Sequence, residues 1–227
     1  MALTSELTGA PRPGAVLWDM DGTLVDSEPL WGVALDEVAA ELGRPLTPEV
    51  REAITGTDDR TTMRLLCAHT GTAATDAELA ALGDRVIARV AGLLEAQVPV
   101  LEGAVEAVLG LRAAGIPLAL VTSSPRRIAE ISLAALGADV FDAVVTAEDV
   151  ACRKPDPEPY LLAAKLLEAD AAQAWAVEDS PSGALAAERA GCRVLLAPGA
   201  LAGARGPGRV QLAALTEVLP VGTGGAH

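Results

Sequence analysis

The sequence predicts an α/β fold: a doubly wound parallel-sheet core with an inserted helical unit. Three observations predict it. Short runs that are apolar on both sides recur along the chain, as strands buried between two helical layers require. Amphipathic helical patterns alternate with those runs. The interval between the first two runs carries helical stripes but no strand pattern, so one helical unit leaves the core and returns to it.

The elements follow in order. Ala15-Val16-Leu17-Trp18 is the first strand. Trp31, Leu35, Val38 and Leu42 then form a helical stripe, and Leu79, Leu82, Val86, Val90 and Leu93 form a second. The segment is too long for a loop and reads as a helical unit over 29–97. The chain re-enters the core near Val98-Pro99-Val100. The pattern Ala104-Val105, Val108-Leu109, Leu111-Arg112, stopped at Gly115, is a core helix. Pro117-Leu118-Ala119-Leu120-Val121 and Ala143-Val144-Val145 are the second and third strands. Tyr160-Leu161, Ala164 and Leu166-Leu167 lie on another helix. Trp175-Ala176-Val177 and Arg193-Val194-Leu195-Leu196 are the fourth and fifth strands, and the Gly/Pro-rich 198–208 stretch is a loop. The core is thus expected over 14–28 and 98–220, with 1–13 and 221–227 as flexible tails. Both crossings to the helical unit lie beside the carboxyl end of the first strand, where α/β sheets bind ligands.

Composition narrows the functional classes. The 227 residues carry 31 acidic and 17 basic side chains, a net charge of −14, with no basic run. Nucleic acid and anionic membrane surfaces are therefore poor partners. A content of 51% hydrophobic residues supports a sizeable core, and with 2% aromatics that core must be built from Ala, Leu and Val. Cys67, Cys152 and Cys192 form no C-x-x-C pair, which fits a reducing cytoplasm better than a disulfide framework or zinc site. His69 and His227 are too few for a histidine metal cluster. No signal peptide is expected in 1–13, and no apolar stretch approaches the roughly 20 residues of a membrane span. A soluble cytoplasmic protein, monomeric rather than oligomeric, is the expectation.

Four strand ends carry the chemistry. The first strand runs into Asp19-Met20-Asp21-Gly22-Thr23, two carboxylates on one turn, whose repulsion a hard divalent cation such as Mg²⁺ would relieve. In isolation it reads equally as a turn built from Asp and Gly. The second strand ends in Thr122-Ser123-Ser124, hydroxyls and backbone N–H groups suited either to a phosphate oxygen or to capping a helix. After the third comes Arg153-Lys154-Pro155-Asp156-Pro157, where two prolines restrict the backbone beside Lys154. The fourth ends in Glu178-Asp179-Ser180, a second acidic pair. Brought together by one parallel sheet, acids for a cation and a lysine with hydroxyls for an anion make a phosphoryl-transfer site.

These motifs resemble the haloacid dehalogenase superfamily, Mg²⁺-dependent phosphatases that work through an aspartyl phosphate. Asp19-Met20-Asp21-Gly22-Thr23 matches its first motif, Thr122 its second, Lys154 its third and Glu178-Asp179 its fourth, and the helical insert matches its cap. Within the superfamily the chain is similar to the β-phosphoglucomutase-like branch. Leu24-Val25-Asp26-Ser27-Glu28-Pro29-Leu30-Trp31 resembles 2-deoxyglucose-6-phosphate and hexitol-phosphate phosphatases. Trp31 stands where the mutase has a His, and Asp59 with Arg60 beside it, within Gly56–Arg60, stands where the mutase has an Arg. Loss of the proton-handling His favours hydrolysis over mutase chemistry.

The resemblance implies roles. Asp19 is the nucleophile and Asp21 the general acid and base. Lys154 neutralises charge, Thr122 and the Ser123 N–H orient phosphate, and Mg²⁺ is held by Asp19, Asp21 and Asp179 with Glu178 in support. The substrate is a small phosphorylated metabolite, with a sugar or polyol phosphate favoured over phosphoglycolate or a nucleotide. Arg60, Thr57 and Trp31 are the candidate specificity residues of the cap. Arg60 reads equally as a solvated side chain, and Trp31 as a packing residue. Arg126 and Arg127 either attract phosphate or stay in solvent. A phospho-receiver module without turnover is the rival from another class, but it needs no insert of this size. A dehalogenase would lack Asp21, and a nicotinamide-binding enzyme would carry a G-x-G-x-x-G after the first strand, which is absent.

Overall fold

The computed structural model describes residues 11–54, 57, 59–137 and 139–219. Six strands make one parallel sheet: β1 (Ala15–Trp18), β2 (Leu118–Val121), β3 (Ala143–Val145), β4 (Ala174–Glu178), β5 (Arg193–Leu196) and β6 (Val210–Gln211), in the order β3-β2-β1-β4-β5-β6. The doubly wound α/β expectation holds. The sixth strand was not foreseen, because two residues at a sheet edge carry no apolar run. The helices are α1 (Glu28–Glu41), α2 (Pro48–Ile54), α3 (Asp59–Thr70), α4 (Asp76–Ala96), α5 (Ala104–Ala113), α6 (Arg126–Leu136), α7 (Glu158–Leu166) and α8 (Pro181–Arg189).

Strand order fixes the position of the site. From β1 the chain builds β2 and β3 on one side, then crosses to build β4, β5 and β6 on the other. The carboxyl end of β1 is therefore the point where successive connections part, which opens a crevice there. Trp18 pairs with Leu120 on β2 and with Val177 on β4, so Asp19 emerges level with Glu178. All of β1, β2 and β4 is buried, consistent with helices on both faces. Helix α7 packs on β1, β2 and β3, and α8 on β4 and β5. Small residues let α8 approach closely: it buries Gly183, Ala184, Ala186 and Ala187. Tyr160 of α7 is among the largest fully buried side chains.

The described chain forms two compact units. One comprises residues up to Asp26 and from Pro99 onward, the other Ser27–Val98. In the second unit α4 opens with a capping box: Thr75 Oγ1 accepts from Glu78 N at 3.3 Å, and Thr75 N donates to Glu78 Oε2 at 2.7 Å. Leu79, Leu82, Val86, Val90 and Leu94 form its buried face, so the stripe ends on Leu94 rather than the half-buried Leu93. On α1, Val38 is buried with Ala34 and Ala39, while Trp31, Leu35 and Leu42 are half-buried. Arg89 ties α4 to Glu37 at 2.7 Å and to Glu41 of α1. His69 has a structural position, with Nε2 2.8 Å from the Pro45 carbonyl. No helix among the described residues is long and apolar enough to cross a membrane.

Candidate active site

The site starts where β1 runs out. Asp19 N still donates to Val177 O at 3.0 Å, holding the residue to β4 as the strand ends. The chain then folds back through Met20–Val25, with Gly22 N donating to Val25 O at 2.8 Å and Leu24 N to Met20 O at 2.8 Å. Gly22 sits at φ +80°, in the left-handed region, and a Cβ there would lie 2.2 Å from Asp179 Oδ2. Glycine is required twice over, for the turn and for the close approach of the second acidic pair.

Lys154 is the centre of the charge network. Its side chain is only 5% exposed, and it reaches three acceptors: Asp19 Oδ1 at 2.6 Å, Glu178 Oε1 at 2.6 Å and the Val121 carbonyl at 2.9 Å. An ammonium has three N–H donors, so all three are used. Burial alone would lower the Lys154 pKa, but the carboxylates of Asp19 and Glu178 outweigh it and hold the group above its ordinary range. Asp19 titrates well above the usual carboxylate range, because burial and then the negative charge of Glu178 outweigh the help of Lys154. Glu178 is fully buried. Its Oε1 also accepts from Tyr160 OH at 2.5 Å, and its Oε2 from Ser180 Oγ at 3.1 Å.

Asp21, two residues beyond Asp19, is held from β2. Its Oδ2 accepts from Thr122 Oγ1 at 3.0 Å and from Ser124 Oγ at 2.8 Å, and Ser124 N donates to Thr122 Oγ1 at 2.9 Å. The hydroxyls read from the sequence as phosphate-facing are thus gathered on the second carboxylate. Thr122 and Ser124 are buried and Ser123 is half-buried.

The residues fit a divalent cation. One ligand atom from each of Asp19, Glu178 and Asp179 lies within 4.8 Å of the others. Asp19 Oδ2 is buried and meets no hydrogen-bond donor among the described residues. Oxygen-only donors with this excess of negative charge suit a hard cation such as Mg²⁺. Glu178 contributes to the same cluster while its two oxygens are engaged by Lys154, Tyr160 and Ser180.

The structure therefore brings together Asp19, Asp21, Thr122, Lys154, Glu178 and Asp179. Ser124, read from the sequence only as one of the hydroxyls of its strand end, joins them, as do Tyr160 and Ser180, to which the sequence assigns no role. Ser124 lies two residues past Thr122 on the same strand end, and Tyr160 is the single tyrosine of the chain, six residues past Lys154. Those were the available signals. The cap candidates have other engagements within the helical unit. Arg60 pairs with Asp76, and Arg64 lies 3.7 Å from the same side chain. Thr57 Oγ1 donates to Ile54 O at 2.8 Å and lies 2.8 Å from Thr62 Oγ1. Trp31 is half-buried on α1, and Gly56 and Asp58 lie outside the described residues. Arg126 pairs with Asp149 at 2.5 Å, and its backbone N–H points to the Glu148 carboxylate. Cys152 is exposed, whereas Cys192 is buried and its thiol is pushed up to about 12 by that burial.

Residues 13–191 match the haloacid dehalogenase-like hydrolase family. The chain belongs to that family. It is 37% identical over 177 residues to validoxylamine A 7'-phosphate phosphatase of Streptomyces hygroscopicus subsp. limoneus, covering 77% of this chain and 81% of that one. It is 33% identical to hexitol phosphatase B of Escherichia coli K12, over 81% and 83% of the two chains. The crystal structure of CbbY from Rhodobacter sphaeroides in complex with phosphate superposes with a TM-score of 0.79 at 28% identity, over 91% of this chain and 96% of that one. The chain is an enzyme, a phosphatase of the family that hydrolyses phosphomonoesters.

Proposed function

We propose that this phosphatase hydrolyses a sugar or polyol monophosphate through a phosphorylated Asp19. The observation that carries the reading is the placement of Asp19: one oxygen is bound by the buried Lys154 ammonium, and the other is left among acidic groups suited to a cation. Asp19 forms a bond to phosphorus as the bond to the leaving oxygen breaks. Asp21 gives its proton to that oxygen, then takes one from the water that attacks phosphorus and releases Asp19. The Ser124 hydroxyl on Asp21 Oδ2 orients its carboxyl group for both transfers, while Thr122, with one proton to donate, turns from that oxygen to the phosphoryl group. Lys154 offsets charge on the nucleophile and on the phosphoryl oxygens, and Thr122 with the Ser123 N–H binds those oxygens once they arrive. Asp19, Asp179 and the Asp21 carbonyl, with Glu178 in support, would hold Mg²⁺, which would supply electrostatic stabilisation of the transferring phosphoryl group.

The substrate class is supported by the relatives, phosphatases of validoxylamine A 7'-phosphate and of hexitol phosphate. The scarcity of aromatic side chains agrees with it, since a nucleobase calls for stacking. Trp31 in place of the mutase His supports release of phosphate to water over its return to the sugar. The test is a phosphate-release panel with Mg²⁺ over hexose, deoxyhexose and polyol phosphates, phosphoglycolate and nucleoside monophosphates. A hexose, deoxyhexose or polyol 6-phosphate should give the highest kcat/KM. Preference for nucleotides or phosphoglycolate, or isomerised sugar phosphate without free phosphate, overturns the assignment.

A further inference from the structure

The fully buried Glu178 carboxylate is shared. Its Oε1 accepts from Lys154 Nζ at 2.6 Å and from Tyr160 OH at 2.5 Å, and the Tyr160 ring lies 5.1 Å from the same ammonium. Gly183 keeps the pocket open, since a Cβ at that position would fall 1.9 Å from Glu178 Oε1. All three N–H donors of Lys154 are committed, to Asp19, Glu178 and the Val121 carbonyl. On the proposed phosphatase reading, Lys154 must also meet a phosphoryl oxygen, so one of these bonds has to be shared or given up. The bonds to Asp19 and to the Val121 carbonyl place the ammonium against the nucleophile, which leaves the bond to Glu178 as the one to be loosened. Without another donor, loosening it would strand a carboxylate oxygen with no access to water, which is costly.

We propose that Tyr160 is a positioning residue for Lys154. Its hydroxyl keeps Glu178 Oε1 hydrogen-bonded and in place, so that the ammonium can serve Asp19 and the incoming phosphoryl group together. Tyr160 touches neither reactant; it acts through Glu178. The role has a signature distinct from packing, because it concerns the anion-bound state and the geometry of one ammonium.

The test uses Tyr160→Phe, which keeps the ring and removes the hydroxyl. With p-nitrophenyl phosphate and saturating Mg²⁺, KM and the inhibition constant of inorganic phosphate should rise together by about tenfold, while kcat changes less than threefold. The chain has two lysines, Lys154 and the exposed Lys165, so isotope-labelled lysine gives an unambiguous reading without turnover. Only a buried, hydrogen-bonded ammonium exchanges its protons slowly enough to be seen. Its signal should be present in the wild type and shifted or broadened in the variant. An unchanged phosphate inhibition constant, or an unchanged Lys154 signal, removes the role given to Tyr160. Loss of kcat alone with a lowered melting temperature makes Tyr160 a packing residue and overturns the proposal too. A wild-type protein that releases no phosphate with Mg²⁺ instead overturns the phosphatase reading, and phosphate binding by calorimetry to the two proteins still decides the link to Lys154.

Discussion

Replacing Lys154 with methionine removes the ammonium from between two buried carboxylates. In the wild type, Asp19 and Glu178 each lie 2.6 Å from Nζ, with side chains 9% and 0% exposed. Removing one partner of such a group leaves uncompensated buried charge, at about 3–5 kcal/mol. At roughly 2–4 °C per kcal/mol for a protein of this size, the metal-free melting temperature should fall by about 6–20 °C. The fall should depend on pH, with a definite sign. Asp19 already titrates above its unfolded value, chiefly through burial, and loss of Lys154 raises it further. The native state then binds more protons than the unfolded state, so stability drops as pH rises through this window and returns on acidification. Adding Asp19→Asn to Lys154→Met should recover part of the loss, because it removes one stranded charge. The assay is thermal unfolding of the single and double variants without metal between pH 5 and 8. A Lys154→Met protein melting within about 2 °C of wild type, or a double variant less stable than that single one, would refute the picture of a charge-compensated buried triad.

Four further outcomes follow from the same geometry. Asp19→Asn should abolish phosphate release while leaving the circular dichroism spectrum intact, and Asp21→Asn should cost on the order of 10²–10⁴-fold in kcat, since its amide cannot cycle a proton. Turnover should vanish in EDTA and return with Mg²⁺ but poorly with Ca²⁺, which prefers looser and higher coordination; full activity after chelation would contradict the cation assigned to Asp19 and Asp179. Gly183→Ala should displace Glu178 and lower kcat/KM at least tenfold, because the added Cβ would overlap that carboxylate; a crystal structure of the variant with Glu178 unmoved would contradict this.

Much of this protein was legible before any coordinates. Apolar runs too short for helices marked β1 to β5, because strands covered by helices on both faces are apolar along most of their length, with charge only at their ends. The acidic pairs, Thr122 and Lys154 could be assigned to one site because carboxyl ends of parallel strands converge. Beyond that, local pattern ran out. β6 is two residues long and owes its existence to the neighbouring β5. Thr122 and Ser124 could not be placed on Asp21 from a sequence separation of about 100 residues, since their approach depends on β2 lying beside β1. Arg60 reads from the sequence either as a substrate contact or as a solvated side chain, and its pairing with Asp76, on another helix of the same unit, is a tertiary fact. Tyr160 read as one apolar position on a helix. Only the packing of α7 under the sheet sets its hydroxyl against Glu178, and a hydrogen bond between residues on different elements leaves no periodicity in the chain. Sequence alone determined which chemical groups are present and which strand ends carry them; the tertiary structure decided which group each one binds, because that depends on distances set by sheet order and helix packing.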